Sequence, residues 1–213
     1  MVLYLAGAVI GVVVIVFLVV HLTKSGGGNA AGGSSTPSTS ATAGATGGSA
    51  GLVLTQAATV GQFPLNKTVT AEVATTARNQ SAPVVAALKE KGAGQPGKAV
   101  TGVYDLGTVR SLSSSAYKGI IFVGYDGTFN PSAAIRIVRT HLVSSRVVNA
   151  GPHGGNMVCG YSYSSGTYAS ECVWVTKTTL GIVQVVKGEE PVKYHGTPTL
   201  ALQVRNAVEV RAS

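Results

Sequence analysis

The sequence predicts an α+β fold, an antiparallel sheet with helices packed on one side, preceded by one N-terminal transmembrane helix. Three features predict it: a charge-free apolar run at the N-terminus, strand-like runs joined by turns too short for parallel crossovers, and helix signals before and after those runs. The matching organisation is a transmembrane anchor over residues 1–24, a Gly/Ser/Thr/Ala linker over residues 25–53 and an extracytoplasmic α+β domain over residues 54–213.

The anchor comes first. Val2 to Leu22, VLYLAGAVIGVVVIVFLVVHL, holds no Asp, Glu, Lys or Arg, and about 20 apolar residues suffice for a helix to cross about 30 Å of hydrocarbon. A cleaved secretory signal would start with basic residues, keep its apolar region to roughly 7–15 residues and end in a small-residue cleavage site. None of the three is evident, and no cysteine follows the run as a lipidation site. The span is therefore read as uncleaved, with membrane lipid as the partner of residues 2–22. Ser25 to Ala50 contains only small and polar types plus Pro37. Such a segment buries too little apolar area to offset the entropy of ordering it, and it is expected to act as a tether with a reach of roughly 25–30 Å.

In the C-terminal part, Val69, Val73 and Ala77 recur at helical spacing, and Ser81 with Pro83 offers a second helix start before Gly92 and Gly94. One long broken helix or two short ones are expected there. AVTGVYDLGTV and KGIIFVGYDGTF read as strands. Asn130-Pro131 then caps a helix whose Ala134, Ile135, Val138 and Leu142 form one apolar stripe. Three more strand-like runs follow, Met157 to Tyr163, Tyr168 to Thr176 and Leu180 to Val186, and Thr197-Pro198 opens a last helix with Leu200, Ala201, Val204 and Val208 on one side.

Both cysteines fall in one hairpin. With Ser165-Gly166 at the centre of the turn, Tyr163 faces Tyr168, Tyr161 faces Ser170 and Cys159 faces Cys172. Directly opposed antiparallel residues have Cα atoms about 4.5–5.5 Å apart, within disulfide range. A Cys159–Cys172 bond implies an oxidising compartment. Lys24, the single charge flanking the span, favours a cytoplasmic domain by the positive-inside rule, and the cystine outweighs it. The domain is thus expected outside the cell membrane. The same register sets Met157 opposite Trp174, as core beside the cystine or as a ligand platform.

Charge narrows the partners. Lys and Arg number 16 against 8 Asp and Glu, for a net charge of +8, which permits attraction to anionic lipid headgroups, cell-wall polymers or nucleic acid, and an envelope protein or anionic polymer is the partner expected. The basic residues are scattered, so no nucleic-acid partner is expected. Catalytic motifs fail in turn. Ser115 to Lys118 matches S-x-x-K without its companion elements. Gly160 to Ser164 lacks the last glycine of a nucleophile elbow, and no H-E-x-x-H or phosphate-binding loop is present. A zinc site finds no C-x-x-C or H-x-x-x-H spacing among Cys159, Cys172, His141, His153 and His195. No cofactor, metal or catalytic residue is assigned. The AGPHGG stretch, Ala150 to Gly155, is the candidate binding loop, because glycines let backbone approach a partner closely.

AGPHGG followed by Cys159-Gly160, Cys172-Val173-Trp174, TTLGIV and the closing AVEVR resembles the extracytoplasmic domains of uncharacterised membrane-anchored actinobacterial proteins of the Streptomyces type. The resemblance covers roughly the last hundred residues. It implies an envelope location and a disulfide, and it carries over no catalytic residue; Val175-Thr176 departs from the Ala and acidic residue the pattern has after the tryptophan. Two function classes remain. One is a membrane-tethered, non-catalytic extracytoplasmic binding or sensing module using His153, Gly154, Gly155 and Trp174. The other is a small extracytoplasmic hydrolase with a site near His153.

Overall fold

The structure, a computed structural model, describes residues 51–105, 118–164, 167–187 and 197–212. The apolar run at residues 2–22, the tether to residue 50, the S-x-x-K serine and the Ser165-Gly166 turn lie outside the described residues. No helix among the described residues is long and apolar enough to cross a membrane.

Short strands open the fold: β1 (Leu52–Leu54), β2 (Thr59–Val60) and β3 (Phe63–Pro64). Helix α1 (Lys67–Glu90) leads to the hairpin of β4 (Gly94–Asp105) and β5 (Lys118–Phe129). Helix α2 (Pro131–Thr140) then carries the chain to the opposite sheet edge at β6 (Val143–Val148). From there β7 (Asn156–Ser164), β8 (Thr167–Val175) and β9 (Thr179–Lys187) meander back to β5, and α3 (Thr197–Val208) runs into β10 (Glu209–Arg211). The result is a six-stranded sheet of order β4-β5-β9-β8-β7-β6, antiparallel at every pairing.

Helices cover both faces of this sheet, which corrects the expectation of helices on one side. Val123, Val158, Val173, Val175 and Ile182 pack in one apolar cluster with Ala77, Val84 and Leu88 of α1 and Ala134, Ile135 and Val138 of α2. The alternate residues Phe122, Met157, Cys159, Cys172, Trp174 and Val183 pack with Ala201, Val204 and Val208 of α3 and with Leu54 and Val60. The central strands are apolar at odd and even positions alike, so neither face tolerates water. A second layer must cover what the first leaves bare.

Local chemistry places the ends of the elements. Asn66 Oδ1 accepts the Val69 N–H at 3.0 Å and caps α1, and Asn130 caps α2 in the same way through the Ala133 N–H. Helix α1 is continuous, so Ser81 and Pro83 start no second helix. Pro83 has no N–H to return to the Asn79 carbonyl, and both residues are exposed, so that carbonyl is not sealed from solvent. Ser81 instead looks inward, donating to the Arg78 carbonyl at 2.8 Å and sharing a 2.7 Å hydrogen bond with the Tyr125 hydroxyl. Leu52 and Val53, assigned to the linker by composition, belong to β1, which pairs with β10.

The predicted hairpin register holds: Tyr163 pairs with Tyr168, Tyr161 with Ser170 and Cys159 with Cys172. The cystine forms, with Cα atoms 4.0 Å apart and neither residue exposed. It closes a sequence separation of 13 residues, for which the chain-entropy relation gives about 3 kcal/mol. Replacing both cysteines by alanine is expected to lower unfolding free energy by at least about 3 kcal/mol, read by urea titration. An unchanged midpoint would show that the bond does not constrain the unfolded chain.

Candidate functional site

The loop between β6 and β7 is built from backbone conformations that suit glycine. Gly151, Gly154 and Gly155 have φ of 83°, 69° and 77°, values that L side chains rarely adopt. Asn149 Oδ1 accepts the Gly151 N–H at 2.8 Å and starts the turn. At Gly155 a Cβ would lie 2.3 Å from the Val175 carbonyl oxygen, and at Gly151 one would lie 2.9 Å from Leu202, whereas a Cβ on Gly154 would meet nothing within 4 Å. Two glycines therefore seat the loop against β8 and α3, and the third faces open space.

His153 is tied down from beneath. Its Nδ1 lies 2.8 Å from Glu209 Oε2, with 27 % of the His153 side chain exposed and none of Glu209. The Glu209 carboxylate is the centre of a buried cluster. Arg205 Nε donates to Oε2 at 2.7 Å from the last turn of α3, Trp174 Nε1 donates to Oε1 at 3.2 Å from β8, and the Thr179 hydroxyl donates to Oε1 from β9. Arg205 Nη1 donates to the Ala150 carbonyl at the loop's start. Its Nη2 has no hydrogen-bond partner among the described residues. The guanidinium carbon lies 6.0 Å from the Trp174 ring centre, where a cation is attracted to the indole face. Phe122 stacks on that indole, centroids 5.7 Å apart and rings 2° from parallel.

An isolated carboxylate at this depth would be strongly disfavoured by desolvation. Here it is opposed by a full cation and accepts from donors on both oxygens, the condition under which a buried pair is tolerated. The consequence is mechanical. One carboxylate joins α3, β8, β9 and the β6–β7 loop, so the His153 backbone rests on the core and not on loop contacts alone.

Of the residues singled out from sequence, His153, Gly154 and Gly155 share the loop surface. Trp174 does not join them there. It is wholly buried, so it bears on the loop from beneath, through Glu209 and through Arg205, which reaches the Ala150 carbonyl. Glu209 and Arg205 were not anticipated, and they supply the orienting carboxylate that a histidine base would require. Among the described residues no hydrogen bond links His153 to a Ser, Thr or Cys nucleophile, and no group of His, Cys, Asp and Glu is placed to hold a metal. Thr176 to Thr179 form the β8–β9 turn: the Thr176 hydroxyl accepts the Thr178 and Thr179 N–H groups at 3.1 and 2.9 Å.

No protein-family model matches the chain, and neither a curated protein nor a solved structure matches it.

Proposed function

We propose that the chain is a membrane-tethered, non-catalytic binding module of a bacterial cell envelope, its domain outside the membrane and its partner surface at the His153 loop. The observation that carries the reading is the support of that loop. His153 keeps part of its ring in solvent while its Nδ1 is held at 2.8 Å by a carboxylate with no exposure, and Gly154 beside it meets open space. A recognition loop ordered before contact loses less entropy on binding. The apolar run at residues 2–22 supports the tether, and the resemblance to envelope proteins together with the cystine supports the compartment. A net charge of +8 suits an anionic polymer or an acidic envelope protein.

The His153–Glu209 contact also favours a second reading, an extracytoplasmic hydrolase in which Glu209 orients His153 as general base. Its nucleophile would be a bound water or a hydroxyl from outside the described residues. His153→Ala in the full-length chain separates the two. For a binding loop it should weaken retention on an anionic envelope polymer, roughly by the 1–3 kcal/mol typical of one lost polar contact, with no ester or amide turnover in either protein. Equal retention by both proteins would refute the loop as partner surface, and a turnover abolished by the substitution would establish the hydrolase instead. Added protease should remove the domain from intact spheroplasts if the proposed topology is right.

A further inference from the structure

A second concave site lies on the opposite face of the sheet, under α1 and beside the end of α2. It is a cavity of about 310 Å³, at the small end of the roughly 300–1,000 Å³ range of ligand pockets. Its floor is the sheet. Ile121, Val123 and Ile182 form an apolar half, and Ser162, Glu171 and Gln184 form a polar half. Cross-strand register puts these groups together: Glu171 pairs with Gln184 and Gln184 with Ile121. The cavity is independent of the His153 loop, because Glu171 lies on the same face as Val173 and Val175, whereas Trp174 and the cystine face α3.

Glu171 is what sets this cavity apart from a packing gap. It is 7 % exposed in a sheet covered on both faces, and no Lys or Arg among the described residues lines the cavity. Among the described residues the only other titratable side chain lining it is His141, at the end of α2. Gln184 Nε2 donates to Glu171 Oε2 at 2.8 Å and lies 3.5 Å from Ser162 Oγ. With its amide N–H directed to the carboxylate, Gln184 retains its carbonyl oxygen as an acceptor, and a carboxylate has more lone pairs than the two donors Gln184 and Ser162 satisfy. Around Glu171 the polar half is thus rich in acceptors and poor in donors, the amides of Asn79 and Gln80 lining the cavity from α1. Burial holds the Glu171 carboxyl above its ordinary value of 4.5, an effect its hydrogen bonds to Gln184 and Ser162 only partly oppose.

We propose that this cavity binds a small amphiphilic amine, whose ammonium group is received by the acceptors of Glu171 and Gln184 and whose apolar body lies on Ile121, Val123 and Ile182. An ammonium brings three donors and one positive charge, which answers both deficits of the polar half. It also brings the buried carboxylate a counter-charge that no described Lys or Arg lining the cavity supplies.

The test uses the full-length chain in detergent micelles, with n-hexylammonium, 1-hexanol and hexanoate as probes of equal apolar length. Micelle uptake is common to every protein variant and cancels in the comparison. Hexylammonium should bind saturably and more tightly than the other two. Glu171→Gln should weaken it by about tenfold or more, the scale of one charge-assisted hydrogen bond, and leave hexanol within about threefold by the same conversion. Gln184→Met, which removes the second acceptor, should weaken it in the same direction. Glu171→Gln should also remain folded and gain stability at neutral pH. A carboxyl whose folded titration is raised loses stability as pH climbs from its unfolded value to its folded one, and the amide escapes that loss. Hexylammonium affinity should fall as pH drops through the Glu171 titration; any fall that persists in Glu171→Gln belongs to His141. No saturable binding of hexylammonium, an affinity no greater than that of hexanol or hexanoate, or unchanged affinity in both variants would overturn the proposal.

Discussion

Glu209→Ala is expected to cost about 3–5 kcal/mol of unfolding free energy, the range for breaking a buried ion pair by removing one partner. The substitution leaves the Arg205 guanidinium, which has no exposed side-chain surface, without its counter-charge. It also leaves the Trp174 N–H and the Thr179 hydroxyl without the oxygen they share. Arg205→Met combined with Glu209→Leu should be far less damaging than Glu209→Ala, because a pair replaced on both sides leaves no orphaned charge. Urea titrations of Arg205→Met, Glu209→Leu and the double variant, analysed as a double-mutant cycle, should show coupling well above the roughly 0.5 kcal/mol expected of independent sites. A Glu209→Ala midpoint close to wild type would mean that the carboxylate is not what holds α3, β8, β9 and the loop together. The same variant should free His153, so its loop amides should exchange faster with solvent.

The contrast between this cluster and the cystine shows what a sequence can carry. Cys159 and Cys172 are 13 residues apart, and a turn signal between them sets the register, so two local features agree on one pairing. His153 and Glu209 are separated by 56 positions, and Glu209 sits in AVEVR, where strand alternation reads as a solvated side chain. Only the pairing of β1 with β10 and the docking of α3 on the sheet turn that carboxylate inward. Glu171 was equally silent, although a signal existed. ECVWV is apolar at odd and even positions after the glutamate, and a strand buried on both faces offers no solvated side for a carboxylate. A strand apolar on both faces also requires two covering layers, which the helix signals before and after the strands do not reveal. β6 was missed because VSSRVV is a polar edge strand, with Val143 47 % and Val147 57 % exposed, and edge strands need little apolar patterning.

Trp174→Ala is expected to destabilise by about 3–5 kcal/mol, the range for truncating a fully buried aromatic. The indole fills the space between β8 and α3, stacks on Phe122, faces the Arg205 guanidinium and donates to Glu209. Trp174→Phe keeps most of the apolar contact and loses the N–H, so its cost should be nearer the 1–3 kcal/mol of an unsatisfied buried group. The sharper test is reciprocal. Gly181 pairs with Trp174 across β8 and β9, and a Cβ on Gly181 would lie 2.1 Å from the Trp174 ring. Gly181→Ala should therefore destabilise the wild-type chain by about 1–3 kcal/mol through overpacking. In the Trp174→Ala background the same methyl enters the vacated space, fills part of a cavity and lowers the cost of the first substitution. The sign of the Gly181→Ala effect should reverse between the two backgrounds, as measured by urea titration of the four proteins. Equal effects in both would show that β8 and β9 shift apart to relieve the contact, so that the indole does not fix their spacing.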